Sequence, residues 1–252
     1  MQITGTAALV TGAASGLGAA TAAALAAQGA TVYGLDLEKG IANATPADGV
    51  TLIPTDVTEE GPVRAALARI ADDGAELRTV VNCAGIGPSA RILSKKGPHD
   101  LELFHTVLKV NLLGTFNVMR LAAEAIAKLD ADANGQRGVV VNTASIAAFE
   151  GQVGQIAYSA SKAGVAGMTI TAARDLAQYG IRVVTIAPGV VETPMLATVS
   201  EEFRAALAAG VPFPHRLAQP EEFARLVSMI VEHDYLNGET IRMDGALRMG
   251  PR

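Results

Sequence analysis

The sequence is poor in the residues that staple small proteins or hold metals. Among 252 residues there is one cysteine, Cys83, which excludes an internal disulfide framework and a cysteine-rich zinc site. The four histidines, His99, His105, His215 and His233, fall at no metal-ligand spacing and read as solvated or loop residues. No metal is expected. Positive charge is also scarce: 20 Lys and Arg stand against 25 Asp and Glu, a formal net charge of −5, and the basic residues are scattered. Such a pattern gives no electrostatic support to a nucleic-acid or membrane-surface partner. No apolar run approaches the ~20 residues of a spanning helix. The opening stretch MQITGTAALVTG has neither a basic region nor a long apolar core, so a soluble cytoplasmic chain is the expectation.

What is abundant is small and apolar. Half of the residues are hydrophobic, and Ala and Gly are plentiful, which suits helices packed closely on a sheet. Short β-rich runs alternate with longer Ala-rich stretches from end to end. Strands are predicted at 6–10, 31–35, 50–54, 79–82, 138–142, 182–187 and 240–243. Helices are predicted at 16–28, 59–71, 101–129, 156–179 and 220–232, with a short one at 201–209. Segments 85–100, 130–137 and 188–220 read as irregular, and loops of such length are usually functional or mobile. Strands separated by helices need crossover connections and therefore pair in parallel. No linker or internal repeat divides the chain. The prediction is an α/β fold: one doubly wound (Rossmann) domain over residues 1–252, with seven parallel strands and helices on both faces. Its cofactor half would span about 1–145 and its catalytic and substrate half about 146–252.

The stretch LVTGAASGLG runs straight off the first strand into the first helix. Gly12, Gly16 and Gly18 let the backbone turn tightly and approach a pyrophosphate, whose charge the helix N-terminus attracts. With Ser15 and Leu17 they form the candidate phosphate loop. A glycine triplet alone describes a tight turn equally well; its place between strand and helix is what favours a dinucleotide. Asp36, in YGLDLEKG, closes the second strand, where a carboxylate accepts hydrogen bonds from ribose hydroxyls and repels a 2′-phosphate. The glycine loop holds no Arg, residue 37 is Leu, and Lys39 is the one nearby cation, so NAD is expected rather than NADP. Asp56, in PTDVT, is placed to reach the adenine amine with Val57 beside the ring, or to cap the next helix. Asn82, Cys83, Ala84 and Gly85, in NCAGI, are small enough to leave room for a cofactor ribose. Cys83 reads as a packing residue of that crevice rather than a reactive thiol.

The chemistry is expected from AYSASKAGVAGM. Tyr158 and Lys162 are four apart, hence neighbours on one helix face. A cation near a phenol in a water-poor cleft lowers its pKa, so Tyr158 is a candidate general acid–base. The bound oxidised nicotinamide would add positive charge. Ser145, in VNTASIAAF, ends the fifth strand and could bond the same substrate oxygen. Asn111, in LKVNLLGTF, is an unfavourable residue inside an apolar helix and a candidate polar link behind Lys162. Gln155, just before the catalytic helix, is either a substrate contact or a helix-start residue. A surface Tyr–Lys pair, a strand-end Ser and a satisfied buried Asn remain the plain alternatives.

Taken together, TGAASGLG, Asp36, NCAGI, Asn111, Ser145, YSASK and PGVVETPM resemble, in order and spacing, the short-chain dehydrogenase/reductase family along essentially the whole chain. The resemblance implies Tyr158 as general acid–base, Ser145 orienting the substrate carbonyl, Lys162 bonding the nicotinamide ribose and Asn111 anchoring a proton-relay water. It also implies Pro188, Gly189, Val191 and Thr193 lying over the nicotinamide, a sheet order 3-2-1-4-5-6-7 and a homotetramer. GQRGVVVNTASIAAFEGQVGQIAYSASKAGVAGMT, VPFPHRLAQPEEFARLV and LNGETIRMDGALRM are similar to the type-2 3-hydroxyacyl-CoA dehydrogenase subgroup, also called 17β-hydroxysteroid dehydrogenase type 10. That likeness implies an acyl-CoA substrate, with another secondary alcohol such as a hydroxysteroid as the alternative and a non-catalytic dinucleotide-binding protein as a second class. Two departures concern Val191, where a phenylalanine is expected, and a shorter 86–100 loop; Lys95 and Lys96 within it read as a solvated charge pair, with contact to CoA phosphates as the alternative. The helix after Asp36 is also expected to be nearly absent.

Overall fold

Alternation along the first strand sets up the layers. In β1 (Ala7–Thr11), Ala7 and Leu9 face one core, while Ala8 and Val10 face another, the period-two arrangement of a sheet covered on both sides. A computed structural model describes residues 1–196 and 200–251. Strands β1, β2 (Thr31–Asp36), β3 (Val50–Pro54), β4 (Leu77–Asn82), β7 (Gly138–Thr143), β8 (Ile181–Pro188) and β9 (Thr240–Met243) form one sheet in the order β3-β2-β1-β4-β7-β8-β9. All six pairings are parallel. The predicted strand order holds. One face is covered by α3 (Glu60–Asp72), α5 (Thr115–Ile126) and α6 (Ile156–Leu176), through Val63, Ile70, Leu121, Ile126 and Ala173. The other carries α1 (Gly16–Ala27) and α8 (Pro220–Glu232), through Leu25, Phe223, Val227 and Ile230. Each such buried aliphatic or aromatic side chain contributes about 1.5–3 kcal/mol.

Two departures from the sequence expectation matter. The helix predicted over 101–129 is α4 (Leu101–Leu108), a π-helical stretch at Lys109–Gly114, then α5; the widened turn centres on Asn111. The segment predicted as irregular at 85–100 contains a small antiparallel hairpin, β5 (Leu93–Ser94) and β6 (Gly97–Pro98). In segment 188–220 the expected short helix forms as α7 (Glu201–Ala209), preceded by a 3-10 turn at Pro194–Leu196; residues 197–199 within it lie outside the described residues. After Asp36 only one helical turn forms, α2 (Glu38–Ile41). Among the described residues no helix is long and apolar enough to cross a membrane.

Candidate active site

The turn from β1 into α1 depends on positive φ: +67° at Gly12 and +52° at Gly16, values that strain an L side chain. A Cβ on Gly12 would lie 2.9 Å from the Ala84 amide nitrogen, and one on Gly18 would run into the Gly12 carbonyl. Glycine is needed because backbone meets backbone here. Ser15 stands at the N-cap of α1 and Leu17 packs into the core below. The Asp36 carboxylate is tied to this loop, accepting from the Ala14 amide at 2.9 Å and the Leu37 amide at 2.8 Å. Lys39 is exposed on α2.

At the end of β4 the chain is gripped from β1. The Thr11 hydroxyl accepts from the amides of Cys83 and Ala84 at 3.1 and 3.0 Å. Asn82 donates to Asn142 Oδ1 at 2.9 Å, while its own Oδ1 is buried without a partner among the described residues. Burial pushes the Cys83 thiol up to about 11, so it packs as an inert thiol rather than a nucleophile. Asp56 turns the chain after β3, accepting from the Thr58 amide at 2.9 Å. It does not cap α3, whose N-cap is Glu59. Val57 is buried, and its carbonyl accepts from Asn117 at 2.9 Å.

Ser145, just past β7, is extended, and its hydroxyl accepts from the Ala147 amide at 3.1 Å, capping a short 3-10 turn. Tyr158 and Lys162 lie on one face of α6. The Lys162 Nζ is 5.8 Å from the phenol ring centre and donates to the Thr143 carbonyl at 2.7 Å. Burial lowers Lys162 to about 8. Burial also pushes Tyr158 above its ordinary value, with Ser145 pulling the other way. The protein's own groups therefore do not lower Tyr158: the ammonium is directed to the Thr143 carbonyl and desolvation of the phenolate wins, while the expected lowering also counted the charge of a bound nicotinamide.

Asn111 lies near Lys162: a Cβ on Gly85 would be 3.2 Å from Asn111 Oδ1 and 3.6 Å from Lys162 Nζ. Among the described residues its side chain makes no direct bond to Lys162. It accepts from the Ile86 amide at 2.8 Å and donates to the Ile86 carbonyl at 2.9 Å and to Ser161 Oγ at 3.0 Å. Ser161 in turn donates to the Tyr158 carbonyl at 2.7 Å. Asn111 thus fixes the Gly85–Ile86 turn against the catalytic helix. Gln155 acts at the helix start, its Oε1 accepting from the Gln152 amide at 3.0 Å.

The remaining wall is 188–193. Gly189 donates to the Met243 carbonyl at 2.9 Å, and the chain around Val191 runs beside Ala218, with Glu192 N to Ala218 O at 2.8 Å and Ala218 N to Val190 O at 3.0 Å. Thr193 faces the glycine loop: a Cβ on Gly16 would lie 3.5 Å from the Thr193 Cβ. Lys95 and Lys96 form the exposed turn of the β5–β6 hairpin. His99 and His215 bond local carbonyls, and the described residues contain no metal-ligating cluster. Sequence reading missed Thr11, Thr143 and Ser161. Ser161 had a signal, three residues after Tyr158 on the same helix; a carbonyl partner such as Thr143 had none.

These groups gather at the C-terminal ends of β1, β4, β7 and β8, beside the point where strand order reverses, which is where doubly wound sheets bind ligands. The molecule offers a backbone cradle, a carboxylate tied to it, a phenol, a hydroxyl and a buried ammonium around one crevice. Residues 6–204 match the short chain dehydrogenase family. The chain is 52% identical over 255 residues to a 3-hydroxyacyl-CoA dehydrogenase type-2 of Homo sapiens, covering 99% of this chain and 98% of the relative. A protein of the same name from Drosophila melanogaster is 52% identical over 248 residues, covering 96% and 97%. A crystal structure of 3-hydroxyacyl-CoA dehydrogenase type-2 from Mycobacterium avium matches with a TM-score of 0.92 at 44% identity, covering 98% of both chains.

Proposed function

The chain belongs to the short-chain dehydrogenase family, and from that premise we propose that it interconverts a 3-hydroxyacyl-CoA and a 3-oxoacyl-CoA, with NAD as its coenzyme. Dehydrogenases of this type use a nicotinamide dinucleotide. The crevice suits one, because side chains larger than hydrogen at Gly12 and Gly18 would fill the cradle and Asp36 is held at its rim. Gly12, Ser15, Gly16, Leu17 and Gly18 would hold the pyrophosphate, and Asp36 the adenosine ribose. Although Asp36 already accepts two amides, a carboxylate has about four acceptor sites, so ribose hydroxyls can be added. Asp56 and Val57 would flank the adenine. Asn82, Cys83, Ala84 and Gly85, with Pro188, Gly189, Val191 and Thr193, would enclose the nicotinamide end.

When bound, the nicotinamide ring supplies the hydride acceptor or donor. Tyr158 Oη takes the alcohol proton during oxidation and returns it to the carbonyl oxygen during reduction. Ser145 Oγ bonds that same oxygen and keeps it near the phenol. Lys162, with one proton on the Thr143 carbonyl, has others for a ribose hydroxyl, and Asn111 holds the Gly85–Ile86 turn in place. Gln155 keeps its amide NH₂ for the substrate. The observation that carries this reading is the convergence of Tyr158, Ser145 and Lys162 beside the glycine loop, in a chain half identical over nearly its full length to enzymes named for that reaction.

The direct test is reduction of acetoacetyl-CoA with saturating NADH. Turnover is expected; none, or turnover of steroid alcohols alone, removes the acyl-CoA assignment. Michaelis constants for NAD and NADP test the coenzyme, and a clear preference for NADP contradicts the role given to Asp36. The same reading includes a homotetramer, checked by sedimentation equilibrium.

A further inference from the structure

Four charged side chains meet where the C-terminal turn touches the loop that follows Ser145. Arg242, in β9, donates through both terminal nitrogens to the two Glu150 carboxylate oxygens at 3.1 and 2.9 Å, and through Nε to Asp244 Oδ2 at 2.7 Å. Arg248 joins the same two acids, at 3.4 Å from Glu150 and 3.1 Å from Asp244. The Arg242 guanidinium lies 5.4 Å from the centre of the Phe149 ring. A lone surface ion pair contributes little, but a bidentate pair inside a network is the recognised exception. The Asp244 side chain is only 7% exposed, and those of Arg242 and Glu150 are 22% and 27% exposed.

The two acids belong to opposite walls of the crevice. Glu150 closes the tight turn begun at Ser145, with Ala148 N to Ser145 O at 3.0 Å and Glu150 N to Ile146 O at 3.0 Å. The next residue, Gly151, lies directly on Ser159, the neighbour of Tyr158; a Cβ there would be 3.0 Å from the Ser159 Cβ. Asp244 abuts Gly189, where a Cβ would lie 3.0 Å from the Asp244 Cα, and Gly189 opens the segment that faces the glycine loop. Gln152 to the Gly250 carbonyl at 3.2 Å and Val153 to the Pro251 carbonyl at 3.1 Å add lighter ties.

We propose that Arg242 is a positioning residue: by gripping Glu150 and Asp244 at once, it sets the spacing between the Ser145–Tyr158 wall and the segment from Gly189 to Thr193. The nicotinamide side and the substrate side of the crevice are otherwise carried by different strands, and a misplacement of about 1 Å costs on the order of 10²-fold in rate. The turnover readout rests on the proposed reaction; the mobility readout does not.

The test is Arg242→Met in the full-length chain, followed by amide hydrogen exchange of residues 146–155 and by turnover per folded molecule with acetoacetyl-CoA and NADH. Faster exchange in that loop together with a roughly 10- to 100-fold lower kcat is expected, with Arg242→Lys falling between because it keeps charge but loses the two-pronged grip. Lower turnover at unchanged exchange, faster exchange at unchanged kcat, or no change in either overturns the proposal. If Arg242→Met does not fold, Glu150→Gln carries the same readouts. Wild-type protein inert toward acetoacetyl-CoA counts against the proposed reaction instead, and loop exchange then decides the brace: unchanged exchange overturns it.

Discussion

Two cations are buried at opposite ends of the sheet, each 5% exposed, and they are treated very differently. Arg182 starts β8 and donates to Gln136 Oε1 at 2.8 Å and to the carbonyls of Ile230, Val231 and Leu236 at 2.8–3.0 Å. Two of those carbonyls belong to the last turn of α8, where the orphan C=O groups of a helix attract positive charge. Lys162, at the other end, has one protein hydrogen bond among the described residues, to Thr143. Burial lowers both, and takes Lys162 down to about 8. A saturated buried cation ties elements together. An unsaturated one, placed at the C-terminal ends of parallel strands, keeps donor capacity that the described residues do not use.

That contrast is sharpest in turnover. Tyr158→Phe should lower kcat by ~10²–10⁴-fold, the usual share of a positioned acid–base, while the NAD dissociation constant measured by titration stays the same; near-normal turnover would remove the phenol from the mechanism. Arg182→Met should do the reverse. Leaving several buried carbonyls without donors, at ~1–3 kcal/mol each, should cost at least ~3 kcal/mol and lower Tm by ~2–4 °C per kcal/mol, with kcat per folded molecule unchanged. A large loss of kcat there would erase the distinction between the two ends.

Titration separates the cations further. Lys162 falls from an ordinary 10.5 to about 8 in the folded chain. Between those values the unfolded chain binds more protons, so stability rises with pH. The penalty for burying the ammonium is complete below pH 8, about 3 kcal/mol at ~1.36 kcal/mol per unit, and it is gone above pH 10.5. Cys83, raised from 9.0 to about 11, acts in the opposite sense at higher pH. The informative quantity is therefore the difference between wild type and Lys162→Met in denaturant unfolding, which should narrow from pH 8 to 10.5; a constant difference contradicts the lowered value. A smaller effect is expected at Asp36. Asp36→Ala should shift the NADP/NAD ratio of kcat/KM by roughly tenfold, ~1.4 kcal/mol, and an unchanged ratio would leave the carboxylate without a selective role. Smallest of all, replacing exposed Lys95 and Lys96 with Ala should raise the CoA-ester KM a few-fold through lost charge attraction; an unchanged KM leaves the hairpin turn merely solvated.

Much of this was legible before any coordinates. Parallel pairing follows from strands alternating with helices, and the strand order β3-β2-β1-β4-β7-β8-β9 agrees with the order the family resemblance implies. The glycine loop, Asp36 and the Tyr158–Lys162 spacing were readable because each acts within a few residues of sequence. What was not readable depends on partners brought together by topology. The widened turn around Asn111 leaves no mark on hydrophobic periodicity, and its partner Ile86 is 25 residues away. Arg242 and Glu150 are 92 apart. The direction of the Lys162 ammonium was unreadable for a similar reason: sequence spacing brings a cation near the ring, but only the fold shows that its proton goes to a main-chain oxygen.

The widened turn at Lys109–Gly114 carries a consequence for length variation. It accommodates a residue that a regular helix has no place for. Excising one of the six other than Asn111 would let α4 and α5 merge into a single smooth rod, at the expense of the Asn111 bonds to Ile86 and Ser161, since one residue is about 100° of helical phase. Tidier winding and a fixed Gly85–Ile86 turn are incompatible at this spot, so a shortened variant should lose turnover even where its helix is more regular.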